Sequence, residues 1–295
     1  MFHRRRPYTI PLPHDRTLLL GERVLVMGIL NVTPDSFGEP QPRPDAPAAI
    51  DAALEMEAGG ADIIDVGGES TRPGADVVSA AEEAARVLPV IRGLAGRLKI
   101  PVSIDTYKAE VARAAIAEGA AIVNDISGLR YEPLLGSVVA ERGAALVLMH
   151  TRGRSKGMYD NANYGDVVAD VLVELGESTA RAIAAGVARE RLIIDPGIGF
   201  AKRPAHSYGV LARLPELAAL DRPVLVGPSR KSFLRGALQD RPAPERDWGT
   251  AAAVTAAVLG GAHIIRVHAV AEMVQVVRVA EEIRNSQVSS LKSQV

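Results

Sequence analysis

Short, almost uninterrupted apolar runs recur along the chain at Val24–Val32, Ala61–Gly67, Ile100–Asp105, Ala121–Ile126, Ala144–His150, Arg191–Pro196, Pro223–Gly227 and His263–His268. They do not alternate with polar residues, which suits strands buried on both faces of a parallel sheet. Between them lie Ala-rich stretches with helical spacing. In Ser79–Leu98, Ser79 and Glu82 have capping-box spacing and Ala84, Val87, Leu88, Ile91, Leu94, Ala95 and Leu98 share one face, with Pro89 expected to kink it. A second helix is expected from about Lys108 to Glu118, stopped by Gly119, and a third over Asp166–Ala185, closed by Gly186. Eight repeats of strand and helix predict an α/β fold, a (β/α)8 TIM barrel, with an open doubly wound sheet as the alternative. Tyr8–Leu12 and Thr17–Leu20 are expected to pair as an N-terminal hairpin (8–21) at the barrel floor. The polar tail, Arg284 onward with 285–295 flexible, is expected to fray, and 1–295 reads as one domain.

Composition narrows the class. The chain has 295 residues, 34 basic and 35 acidic, for a formal charge of −1, with 47% hydrophobic residues. Zero cysteines exclude disulfides, thiolate metal sites and a cysteine nucleophile. The balanced charge removes any whole-molecule case for nucleic acid. The run His3-Arg4-Arg5-Arg6 leads into no apolar stretch of signal-peptide length, and Gly249–Ile265 is broken by Gly260-Gly261 and short for a membrane span. The expectation is a soluble, cytoplasmic protein.

In a barrel, the carboxyl ends of the strands build the active site. Here the apolar runs end in Asn31, Asp65, Asp105, Asn124 with Asp125, His150, Asp195, Ser229, Arg266 and His268. Any one of these could cap a helix, but a ring of them from every strand would be costly to bury without a ligand. Asp105, Asn124 and Asp195 suit a flat heterocycle whose paired N–H donors a carboxylate accepts. Arg72, Lys231, Arg266 and His268 supply cations suited to phosphate or diphosphate, while the direction of Arg230 stays open. Gly197-Ile-Gly199-Phe-Ala-Lys202 begins like a dinucleotide fingerprint but has Lys202 at its third glycine position. No strand core contains a lysine for a Schiff base, the six histidines are too scattered for a zinc site, and His263 reads as a packing residue.

Several segments resemble dihydropteroate synthase, a pterin-binding family of folate biosynthesis. They are Met27-Gly-Ile-Leu-Asn-Val-Thr-Pro-Asp-Ser-Phe37, Gly67-Gly-Glu-Ser-Thr-Arg-Pro-Gly-Ala75, Ser103-Ile-Asp-Thr106, Val123-Asn-Asp-Ile-Ser-Gly128, Asp195-Pro-Gly-Ile-Gly-Phe200 with Lys202, Gly227-Pro-Ser-Arg-Lys-Ser-Phe233 and Arg266-Val-His268. The resemblance implies a transferase that joins 6-hydroxymethyl-7,8-dihydropterin diphosphate to p-aminobenzoate, giving dihydropteroate and diphosphate with the help of Mg2+. It implies that Asp105, Asn124, Asp195 and Lys231 hold the pterin, against walls from Met149, Phe200 and Gly227. Asn31, Arg72, Arg266 and His268 match the diphosphate and metal site, with Asn31 the metal ligand. Thr71, Pro73, Phe200 and Ser232 match the p-aminobenzoate end. Lys231, Arg266, His268 and Arg72 would carry catalysis. Family members are usually homodimers and are sulfonamide targets; here Thr250–Leu259 and Val270–Ile283 are the candidate interface.

The chain departs from the family pattern at Gly38-Glu-Pro-Gln-Pro-Arg-Pro44 with Pro47, where four prolines stiffen a segment expected to close as a lid. Ala269 stands where the family usually has Asp, Ala201 where Gly is common, and His150–Lys156 is more basic than usual. Two alternatives share the pterin acids. A methyltransferase acting between methyltetrahydrofolate and a corrinoid protein would not need the Ser-Thr-Arg-Pro or Ser-Arg-Lys-Ser-Phe segments. A non-catalytic pterin-binding paralogue or scaffold should have lost some of Asp105, Asn124, Asp195, Lys231 and Arg266, and all five are present.

Overall fold

The computed structural model describes residues 5–33, 45–70, 74–154 and 156–292. An antiparallel hairpin, β1 (Tyr8–Pro11) with β2 (Thr17–Leu20), precedes the eight-stranded parallel sheet. The strands of that sheet are β3 (Leu25–Asn31), β4 (Ile63–Gly67), β5 (Val102–Asp105), β6 (Ile122–Asp125), β7 (Ala145–Met149), β8 (Leu192–Asp195), β9 (Leu225–Val226) and β10 (Ile264–Val267). Each is followed by a helix: α1 (Ala46–Ala58), α2 (Ala80–Leu94), α3 (Ala109–Ala117), α4 (Leu134–Arg142), α5 (Val167–Ala184), α6 (Pro204–Ala212), α7 (Asp247–Leu259) and α8 (Val270–Lys292).

Hydrogen bonding runs in the order β8-β7-β6-β5-β4-β3-β10-β9, and the parallel bridge Ile194–Val224 joins the two ends. The sheet is therefore a closed barrel, and the open doubly wound alternative does not hold. The hairpin plugs its floor as expected. Ile10, Leu12, Leu18 and Leu20 form one buried cluster with Leu25, Ile63, Ile122, Ala145, Ile193, Leu225 and Ile264. The opposite-parity residues, such as Val26, Leu30, Ile64, Val66, Ile104 and Ile265, pack outward against the helices. This two-sided burial is why the strands read as unbroken apolar runs.

Helix ends follow local chemistry. Ser79 caps α2 by accepting the Glu82 amide, while the Glu82 side chain turns to Arg86 instead of closing the box. Helix α2 stops at Leu94, short of the expected Leu98, and Gly96 just beyond takes a left-handed φ of +74°. Asp166 caps α5 through the amides of Val168 and Ala169. Of the tail expected to fray, α8 is helical to Lys292 and Arg284 is buried, while 293–295 lie outside the described residues. Residues 285–292 contain neither Gly nor Pro, so nothing local stops the helix there.

Candidate active site at the barrel mouth

Side chains on a strand return to the same face every second residue. Two residues along each strand from the apolar floor, the inward positions change character. Ile63 gives way to Asp65, Ile122 to Asn124, Ile193 to Asp195, Ile264 to Arg266, and Leu225 to Gly227. Asp105 follows Ser103 on β5. The barrel thus carries a polar layer directly above its hydrophobic plug.

The layer is wired together. Arg266 Nε donates to Asp65 Oδ2 at 2.6 Å, and its second arm donates to Asp105 Oδ2 at 2.7 Å. Asn124 Nδ2 also donates to Asp65 Oδ2, at 2.9 Å. Asp65 Oδ1 and Ser103 Oγ are buried with no partner among the described residues, leaving acceptor capacity at the floor of the mouth. Asp195 Oδ1 accepts the Gly197 amide at 2.7 Å. Lys231 Nζ donates to the Ile198 carbonyl at 2.6 Å and lies 4.3 Å from the centre of the Phe200 ring. A Cβ on Gly227 would sit 3.6 Å from Arg266 Cβ and 3.8 Å from Lys231 Nζ, so this glycine keeps the space between the two cations open. Met149 packs with Tyr107 and Ile126, joined by Tyr131 and Phe200, to make an apolar wall.

Burial perturbs the charges in opposite senses. It pushes the Asp105 carboxyl up to about 7 in spite of Arg266, with Asp65 and Glu83 adding to the rise. Burial likewise raises Asp195, against the pull of Lys231. It lowers Lys231 to about 8, although Asp195 favours its charged form. Acids that resist ionisation and an ammonium near neutrality are the signature of a site waiting for a charged, hydrogen-bonding ligand.

At the outer rim, Ser229 Oγ lies 2.9 Å from His268 Nδ1 and accepts the His268 backbone amide at 3.2 Å. When the hydroxyl donates to Nδ1, a neutral ring carries its proton on Nε2. Asn31 ends β3 half-buried beside Gly67. Ser232 is exposed, its hydroxyl 3.3 Å from Tyr159 Oη. Thr71, Arg72, Pro73 and the proline-rich stretch 38–44 lie outside the described residues.

Three members of the expected ring turn away. Asp125 accepts the Ser127 and Leu129 amides and organises its own loop. His150 is buried against Lys202 and Glu174. Ser229 serves His268. Parity explains the first two: Asn124 and Met149 point inward, so their successors cannot. Arg230, left open by the sequence, makes a bidentate pair with Asp247 of α7 at 2.7 Å. His263 is the packing residue expected, accepting the Val224 amide at 3.1 Å. Asp65, given no specific role from sequence, is the acceptor at the centre of the polar layer.

The family description "Pterin binding enzyme" matches residues 27–268. A dihydropteroate synthase of Synechocystis is 48% identical over 273 residues, covering 92% of this chain and 94% of that protein. The chain belongs to the dihydropteroate synthase family. Its members are transferases, and so is this enzyme. A Xanthomonas albilineans dihydropteroate synthase solved with 4-aminobenzoic acid superposes with a TM-score of 0.86 at 42% identity, covering 94% of this chain and 99% of that one. A Burkholderia cenocepacia dihydropteroate synthase complexed with 7,8-dihydropteroate gives 0.85 at 41%, covering 96% and 99%. No helix among the described residues is long and apolar enough to cross a membrane.

Proposed function

We propose that the enzyme condenses 6-hydroxymethyl-7,8-dihydropterin diphosphate with p-aminobenzoate, releasing 7,8-dihydropteroate and diphosphate. The observation that carries this reading is the convergence of Asp105, Asn124, Asp195, Lys231 and Arg266 in one mouth. Asp195 and Asp105 accept the N–H edge of the pterin, Asn124 contributes an amide beside them, and Met149, Phe200 and Gly227 frame the ring. Lys231 donates to the heterocycle. Arg266, His268, Asn31 and Arg72 meet the diphosphate. Ser232, with Thr71, Pro73 and Phe200, receives p-aminobenzoate.

The aniline nitrogen is a weak nucleophile and diphosphate a good leaving group, so the bond to diphosphate breaks first. The pterin delocalises the resulting cation, and the carboxylates beneath it favour that charge. Cations fixed at the departing group stabilise the transition state by several kcal/mol. No enzyme nucleophile is required.

Mg2+ fits this site in one way only. Among the described residues no three His, Cys, Asp or Glu groups are placed to cage a metal. Asn31 would hold the ion through its one neutral side-chain oxygen, a hard donor of the kind Mg2+ takes. When bound, Mg2+ neutralises the charge growing on the leaving group.

The decisive measurement is diphosphate release with and without p-aminobenzoate. Amine-dependent formation of dihydropteroate supports the synthase; tight pterin binding without turnover would identify a non-catalytic paralogue. A homodimer in the cytoplasm belongs to the same proposal. Trp248 on α7 and Val279 and Ile283 on α8 are exposed large apolar residues on adjoining helices, and sedimentation of the full chain tests whether they are covered.

A further inference from the structure

The turn Gly197–Lys202 after β8 carries an unusual load of left-handed backbone. Gly197 has φ +67°, Gly199 +79° and Ala201 +47°. Glycine tolerates this region, but an alanine there costs roughly 1–2 kcal/mol. Such a turn persists only where its surroundings hold it. Two lysines do so from opposite sides. From the pocket, Lys231 donates to the Ile198 carbonyl. From behind, Lys202, 1% exposed, donates to the Phe200 carbonyl at 3.2 Å and lies 2.7 Å from His150 Nδ1. His150 Nε2 is 3.2 Å from Glu174 Oε2, though not squarely aimed at it. Glu174 is itself gripped by Arg152 and Arg130, whose hydrogen bonds, with His150 close by, hold its carboxyl low against burial. A line of contacts thus runs from α5 through Glu174, His150 and Lys202 to the backbone of Phe200.

Lys202 makes no ion pair with a carboxylate among the described residues, so its burial is expensive. Two neutral acceptors, the Phe200 carbonyl and His150 Nδ1, repay that cost only in part. We propose that Lys202 is a positioning residue for the amine-accepting step, holding the Phe200 carbonyl so that the ring stays in place when Lys231 turns its ammonium to the substrate. The inference rests on the synthase reading given above. It adds a residue that contacts neither substrate and acts through Phe200.

The test uses the full chain with Lys202→Met, which keeps length and apolar volume and removes both hydrogen bonds. The variant should still unfold in one cooperative transition, at a somewhat lower denaturant midpoint because two buried acceptors lose their donor. The KM for p-aminobenzoate should rise about tenfold to a hundredfold, the range expected from sub-ångström to ångström misplacement of a binding group. Affinity for pterin diphosphate should fall by a smaller factor, because Phe200 also frames that ring but Asp105, Asn124 and Asp195 hold it from the ends of β5, β6 and β8. Glu174→Gln, which weakens the support behind His150, should raise the same KM by a smaller factor. Wild-type KM values in both variants, equal losses for both substrates, or failure of Lys202→Met to fold would each overturn the proposal. Absence of dihydropteroate formation by the wild type would instead overturn the synthase reading.

Discussion

Replacing Asp105 by Asn separates what this carboxylate does for the ligand from what it costs the fold. Burial lifts Asp105 from its ordinary 3.8 to about 7 even with Arg266 at 2.7 Å. A carboxyl whose folded-state pKa lies above its unfolded value destabilises the fold as pH rises, because the unfolded chain ionises first. The loss begins near pH 4, accumulates up to about pH 7, and is complete above it. At about 1.4 kcal/mol per tenfold change in proton affinity, this gap of about three decades is worth up to about 4 kcal/mol. Asn imitates the protonated form and escapes the penalty. Urea denaturation of wild type and Asp105→Asn, repeated from pH 4 to pH 8, should give equal stabilities at the acid end and a more stable variant at the alkaline end. The other buried titrating groups, including His150 and His263, both lowered to about 4 by burial, are common to the two proteins and largely cancel in the difference. Lys231, lowered to about 8, contributes its own slope only above that pH. Turnover should move the other way, falling about a hundredfold or more as charge-assisted bonds to the substrate are lost. A stability difference that stays flat with pH, or a variant less stable than wild type at pH 8, would refute the reasoning.

Lys231→Ala should lower kcat/KM by about two to three orders of magnitude with most thermal stability retained, since the half-buried ammonium it removes makes one hydrogen bond, to the Ile198 carbonyl; diphosphate release and a melting curve check both halves. Arg266→Ala should lose comparable activity and also about 3–5 kcal/mol of stability, because Asp65 and Asp105 then lack their cation. Gly197→Ala should yield no folded enzyme by circular dichroism, as its Cβ would fall 1.9 Å from the His150 carbonyl oxygen, a backbone atom that cannot swing aside. Ala269, whose carbonyl accepts the first turn of α8 from Met273, stands at a cap position with no side-chain acceptor. Ala269→Asp should therefore raise stability by about 1 kcal/mol, read as an increase in Tm.

The strands and the floor hairpin were legible because burial on both faces leaves an unbroken apolar run and a short amphipathic pair has only one place to hide its face. Barrel closure was harder to read. It depends on β9, two residues long, and on the single Ile194–Val224 bridge, neither of which has a periodicity. Within the site, strand parity carries more information than the ring of polar strand ends. Stepping by two from Ile63 and Ile122 selects Asp65 and Asn124 and rejects Asp125; the same step through Val147 to Met149 rejects His150. Lys202 gave no such signal. Its proposed role rests on the path of the turn after β8, where the carbonyl of left-handed Ala201 accepts from Tyr164, a tertiary partner that composition does not report.

The free pocket already satisfies much of its own chemistry, with Arg266 spending both arms on Asp65 and Asp105. On the proposed reading, the substrate brings N–H donors for the acids and phosphate oxygens for the guanidinium. Binding then exchanges one set of charge-assisted bonds for another, and the net gain is smaller than a count of new contacts suggests. An anion alone draws Arg266 away from carboxylates that burial has made reluctant to stand unpaired. A pterin without diphosphate competes with Arg266 for the same oxygens and gives the guanidinium no new partner. Only a ligand carrying both parts completes the exchange, so the Arg266–aspartate network confers selectivity for the joined molecule over either fragment.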